Sequence, residues 1–419
     1  VGALLHIGAH DEESRIATIR RLVGVLDVRN AAAQVKAAEA LATFAARSAE
    51  NRRVITSSNG IDPLVRLLGD GMRVQSKTPQ ERAAAVLSDL ARLSENKLSI
   101  VAAGGVPPLV MMLSSESVLA QRHAAATLSH LSASIKNKEA IANAGGIAPL
   151  VSLVSYGSME AIKHSAFALW NLAMVADYKI AMCAAGVIPP LVGVLKFDND
   201  ESREYAAGVL SAIARTQGGN KKAIVEAGGI EPLVELLQDS SLQAQRHAAC
   251  ALWGLAEGKE GVYDKDIVDA GAVQPLIAML LLNHVETRGF AAACLLCCCA
   301  DERASDSILE NGGEGALLSL AGSPSKWLRQ QAIEMLKLLG IPFIEPHASM
   351  SPRQVVSPRA PSSPGREDST NTRPFIVGSR LIAQKMLPVR TDKGIDPTKE
   401  NVVVAVLTKG EECFVQERA

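Results

Sequence analysis

The residues best equipped for chemistry in this chain sit in recurring contexts. The pentapeptide QRHAA occurs at Gln121–Ala125 and returns at Gln245–Ala249. A histidine that comes back with an arginine before it is what a duplicated acid–base or metal site would leave. The spacing argues otherwise. His123 and His130 lie two turns apart on one helix, whereas chelation from one helix uses an i,i+4 pair. His123, His164 and His247 stand a repeat or more apart, on the order of 10 Å per stacked helix layer. No Ser-His-Asp, Cys-His or paired-carboxylate spacing accompanies them. Cys294-Leu-Leu-Cys297-Cys298-Cys299 contains a CxxC, but neither a second CxxC nor a nearby His pair completes a zinc site. In a helix packed on both sides, free cysteine is a small apolar filler. The Gly-Gly-Ile phrases follow helices rather than strands and lack the Lys-Ser/Thr of a phosphate loop. No catalytic residue, cofactor or metal is expected, and the chain is expected not to be an enzyme.

Bulk properties agree. Lys+Arg (43) nearly balances Asp+Glu (44), so the basic footprint of a nucleic-acid binder is missing. Hydrophobic residues make up 48% and aromatics only 3%, a composition suited to close helix packing by Ala, Leu, Val and Ile. Seven cysteines, four of them crowded into Cys294–Cys299, do not form an extracellular disulfide framework. An intracellular setting, in the cytoplasm and/or nucleus, is expected. The longest apolar run, Phe290–Ala300, is short of the roughly 20 residues a spanning helix needs, so no transmembrane segment is expected.

These residues are positioned by an internal repeat. A Gly-x-x-Pro-Leu-Val phrase recurs as GIDPLV, GVPPLV, GIAPLV, VIPPLV and GIEPLV, with GAVQPLI one residue longer. Its leucine column, Leu22, Leu64, Leu109, Leu150, Leu191, Leu233, Leu276 and Leu317, has spacings of 42, 45, 41, 41, 42, 43 and 41. One period predicts three helices. NKEAIANA ends at Gly145-Gly146, where glycine supplies a left-handed cap. IAPLVSLVS starts the second helix with Pro149 in its first turn. MEAIKHSAFALWNLAMVA is the third and longest, with apolar residues at helical spacing. Such units bury their apolar faces only by stacking.

This order of helices at this period resembles the armadillo repeat of β-catenin-like proteins, and it does so more closely than a HEAT-like solenoid because of the Gly-Gly cap and the three-helix unit. The nearest patterns are those of vacuole-anchored armadillo adaptors and plant U-box-associated armadillo proteins. The resemblance implies an all-α, right-handed superhelix of about eight three-helix repeats with a largely disordered C-terminal tail. The solenoid is expected over 1–342. It starts inside a repeat, with a degenerate unit at 21–58, regular units at 59–311 and a capping unit at 312–342. Residues 343–374 are expected to be a Ser/Pro/Arg-rich disordered linker, with Ser351, Ser357 and Ser363 as proline-directed phosphorylation candidates. The structure of the tail at 375–419 is left open, apart from a lone strand at Asn401–Leu407. Because the chain begins at Val1, further sequence upstream is expected, with room for more repeats, a U-box or a peripheral lipid anchor.

The resemblance also implies that third helices line a groove holding extended segments of other proteins. Aligning those helices on their Ala-Ala pair gives a column of Lys36, Arg82, His123, His164, Tyr205, His247, Phe290 and Gln331. Positions three and seven residues later share its face and include Asp89, His130, Phe167 and Asn171. The expected partner-binding residues are therefore Arg82, Asp89, His123, His130, His164, Phe167, Asn171, Tyr205, His247 and Phe290. Importin-α-like proteins carry Trp and Asn at these two offsets, and here only Phe167 with Asn171 approximates that pair. Trp170 and Trp253, six residues after the column, are expected in the core, away from the groove. The function so implied is a non-enzymatic scaffold or adaptor, or else the substrate-recognition part of a larger ubiquitin ligase.

Overall fold

The computed structural model describes residues 12–70, 78–216, 219–258, 262–343 and four short strands between 375 and 416. Two units separate, 1–345 and 346–419.

The first unit is helical wherever it is described, and its helices recur in the expected triplets. The third helices are α1 (Ala31–Arg47), α2 (Thr78–Leu90), α3 (Val118–Leu131), α4 (Met159–Leu172), α5 (Asp200–Ala214), α6 (Leu242–Ala256), α7 (Val285–Cys298) and α8 (Lys326–Leu338). Each packs on the next, forming a ladder, and each also packs on the second helix of its own repeat. Their starts are set by side-chain caps: Asn30, Ser117, Ser158, Asn199, Ser241 and His284 each accept from an amide three residues on.

The Gly-Gly step joins first to second helix by a division of labour. Gly104, Gly145, Gly186, Gly228, Gly271 and Gly312 have φ between 73° and 83°, the left-handed region, and Asn59 with φ of 60° does the same work in the first complete unit. The second position is crowded by contact instead where it is glycine, while Val187 and Ala272 fill it in two units with longer amide hydrogen bonds of 3.2 and 3.3 Å. A Cβ on Gly146 would stand 2.9 Å from Ile141 Cγ2, while the Gly146 amide donates to the Ile141 carbonyl at 2.9 Å.

A second local rule ties the first helix to the preceding third helix. Asn51, Asn96 and Asn137 are buried, and their Nδ2 groups donate to the carbonyls of Phe44, Leu90 and Leu131, in the last turns of α1, α2 and α3. Between the layers runs one continuous Ala/Leu/Val/Ile core from Ile19 to Leu336. Among the described residues no single helix is long and apolar enough to cross a membrane.

In the second unit, β1 (Phe375–Val377) pairs antiparallel with β2 (Arg380–Ile382), and β3 (Val404–Leu407) with β4 (Cys413–Gln416). The strand expected alone at Asn401–Leu407 therefore has a partner in Cys413–Gln416. The linker expected to be disordered lies, from residue 344 onward, outside the described residues, as do Ser351, Ser357 and Ser363.

Candidate protein-binding face

The two QRHAA segments build the same local structure, and each residue type has a separate task. Gln121 Nε2 donates to the Ser115 carbonyl at 2.8 Å and Gln245 Nε2 to the Asp239 carbonyl at 2.7 Å, anchoring the third helix to the preceding turn. The alanines are fully buried. Between them, the Arg122 guanidinium lies 3.1 Å from His123 Nε2, and Arg246 lies 3.4 Å from His247 Nε2. Arginine has no acceptor, so the ring nitrogen accepts, which assigns a neutral imidazole with its proton on Nδ1. Burial first, and the neighbouring cations second, hold His123 and His247 down to about 4. These histidines are neutral donors at physiological pH.

His130 is likewise pushed to about 4, by burial and then by His164, Lys97 and Arg92. The rings of His130 on α3 and His164 on α4 stand 6.4 Å apart, edge to face. His164 also sits 3.4 Å from Ser129 Oγ, whose own proton goes to the Ala126 carbonyl at 2.8 Å. Spacing along the sequence keeps these imidazoles a repeat apart, and the packing of α3 on α4 brings them together. Among the described residues no group of three or more His, Cys, Asp and Glu is arranged to hold a metal ion.

From α4 onward the face turns aromatic. Phe167 lies 4.8 Å from Tyr205, and Trp170 stacks on Tyr205 at 5.9 Å and meets His247 edge-on at 5.3 Å. Trp170 fits because Gly208 lies beneath it, where an added Cβ would stand 2.6 Å from the indole. A second cluster follows: Trp253 stacks on Phe290 at 5.8 Å, Trp327 lies 6.3 Å from Trp253, and the Arg215 guanidinium caps Trp253 at 4.8 Å. Gly289 leaves the space that the Trp327 ring occupies.

This placement corrects the reading of Trp170 and Trp253 as core residues turned away from the column. Both are half-buried, with their rings against column residues of the next helix. An offset of six residues lies about 60° beyond the offset of three, so it remains on the face when that face is centred on the small residues Gly208, Cys250 and Ala293. The histidine column stands at one edge of this face and faces the seam between helices; His247 is only 8% exposed. Of the missed residues Arg122, Trp170, Arg215, Trp253 and Trp327, only Trp170 and Trp327 are signalled in the sequence, each by a glycine one repeat away, Gly208 and Gly289.

The other expected residues are already engaged in part. Arg82 pairs with Glu39 at 3.5 Å, and Asp89, raised by burial, lies 3.9 Å from Arg92. Asn171 Nδ2 donates to Ser132 Oγ at 3.1 Å, across the repeat boundary. The cysteine run packs as apolar filler: Cys294 and Cys298 are buried, and burial pushes Cys297 and Cys299 up to about 12.

The model of the plant U-box protein armadillo-repeat region matches residues 18–288, more than half of the chain. Among solved structures, one engineered protein is 28% identical with a TM-score of 0.65, covering 81% of this chain and 93% of that one. A second engineered protein is 32% identical with a TM-score of 0.50, covering 56% and 96%. A set of computationally designed armadillo repeat proteins for modular peptide recognition is 26% identical with a TM-score of 0.50, covering 56% and 99%. No curated protein is matched. With the three-helix period, the Gly-Gly step and the third-helix ladder in place, the chain belongs to the family of plant U-box protein armadillo-repeat regions.

Proposed function

We propose that this chain is a non-enzymatic interaction scaffold, acting inside the cell, whose third-helix face holds an extended segment of another protein. The observation that carries this reading is the ladder face itself. Half-buried rings from successive repeats, Phe167, Tyr205 and Phe290 among them, lie in contact across helix boundaries, with the buried His247 imidazole packed edge-on against Trp170. A surface of this kind offers apolar contact and directed donors at regular intervals, which suits an extended chain more than a compact ligand. The designed relatives for modular peptide recognition share the fold and support the same reading.

Replacing His164, Tyr205 and Phe290 together with Glu is expected to abolish capture of protein partners in a pull-down while leaving helical circular dichroism intact. Capture that survives with the fold intact overturns the assignment to this face. A second reading is favoured by the family match: the chain is the substrate-recognition part of a ubiquitin ligase whose U-box lies upstream. Its test is whether the full-length product of the gene supports autoubiquitination with a conjugating enzyme.

A further inference from the structure

The open face is electrically uneven. Apart from His164, the charged neighbours acting on His123 and His130 are all cations: Arg122 and Arg82 on the first, Lys97 and Arg92 on the second. Several carboxylates of this stretch are already committed. Glu39 is held by Arg82 at 3.5 Å, Asp89 lies 3.9 Å from Arg92, and Lys163 joins Glu160 at 3.0 Å and Glu201 at 3.2 Å. Glu160 is also 3.9 Å from His164. Arg122 differs from its counterpart one QRHAA copy later. Arg246 is tied to Glu286 at 2.7 Å, whereas among the described residues Arg122 has no carboxylate within 4 Å: its guanidinium contacts His123, and Glu160, drawn to Lys163, feels it only at longer range.

Resting on the scaffold reading above, we infer that the α2–α4 stretch receives an aspartate or glutamate side chain of the extended partner at Arg122, beside the His123 imidazole. Three features converge on that chemistry. Apart from His164, the charged groups acting on His123 and His130 are Arg122, Arg82, Lys97 and Arg92, and Glu39, Asp89 and Glu160 each already lie within 4 Å of a cation. Arg122 presents a planar donor fork that matches a carboxylate. The half-buried setting strengthens the attraction relative to open water. The partner's apolar side chains then continue over Phe167, Trp170 and Tyr205 toward α7. Third helices about 10 Å apart correspond to roughly three residues of extended chain per repeat. The acidic side chain therefore precedes or follows the apolar ones within a segment of about six to twelve residues.

The test uses a displayed library of random twelve-residue peptides panned against the full chain, against Arg122→Gln, and against Tyr205→Glu. Melting curves and circular dichroism establish that each variant is folded, and Arg122→Lys serves as the conservative rescue. The expected outcome is enrichment of Asp or Glu at one end of the peptides and of apolar residues beyond it. Arg122→Gln is expected to lose the acidic preference but keep the apolar one, and Arg122→Lys to restore it in part. An enriched peptide, synthesised and labelled, should lose about tenfold in affinity on Arg122→Gln by fluorescence anisotropy, and its binding should weaken as salt is raised. Enriched peptides that are neutral or basic, or an acidic preference that survives Arg122→Gln, overturn the carboxylate site. If such peptides are still lost on Tyr205→Glu, the scaffold reading stands without it. Absence of any enrichment, or peptides indifferent to both variants, overturns both.

Discussion

Single residues on the ladder carry charge states that unfolding would change. His123, His130 and His247 bind a proton only near pH 4 when folded, whereas an unfolded histidine does so near 6.5. Between those values the unfolded chain holds more protons, so stability present above about pH 6.5 is lost as pH falls toward 4. Urea midpoints measured at pH 7.5 and 4.5 should differ markedly in the wild type. The difference should shrink in a His123→Asn, His130→Asn, His247→Asn variant, whatever its stability at pH 7.5. Asp264 points the other way. Its Oδ1 is buried with no hydrogen-bond partner among the described residues, and burial raises its carboxyl. Asp264→Asn is expected to stabilise the protein by about 1 kcal/mol at pH 7, with the gain fading in acid, as read from denaturant melts.

Turns and helices make the repeat recognisable from the sequence alone. Glycine pairs, early prolines and the Leu-Val column are local signals, because each reports a backbone angle or a contact within one unit. The ring clusters are not local. Whether Trp170 faces inward or outward depends on the rotation of α4 against α5, which the spacing within α4 does not contain. Gly208 was the available hint, since a missing side chain on one helix marks a large one on its neighbour. The two positions of the Gly-Gly step should also separate experimentally. Gly145→Asn should be nearly neutral, as Asn59 already adopts that angle, while Gly145→Val should cost on the order of 1–2 kcal/mol. At Gly146 the order reverses in cause: Ala alone meets Ile141, so Gly146→Ala should be destabilising even though the backbone angle is ordinary. Melting temperatures of the three variants decide this.

At the scale of the whole repeat unit, stability is expected to add up from neighbour to neighbour rather than act as one block. Every third helix from α2 to α7 has a partner on both sides, while α1 and α8 end the described ladder, with Trp327 38% exposed on the last of them. Amide hydrogen exchange should therefore be slowest in α4, α5 and α6 and fastest in α1 and α8. Uniform protection along the unit would contradict nearest-neighbour additivity. The inter-repeat ion pairs Arg82–Glu39, Lys163–Glu201 and Arg246–Glu286 are expected to add little to stability, since ion pairs open to solvent contribute little.

The distribution of the indoles gives the molecule an intrinsic optical address. The chain has three tryptophans, and all three sit in the aromatic contacts of the α4–α8 stretch, while the α1–α3 stretch has none. Their emission reports on one half of the ladder without any introduced label. A ligand that quenches or shifts it has reached the aromatic half, and one that binds while leaving it dark to the measurement has settled elsewhere.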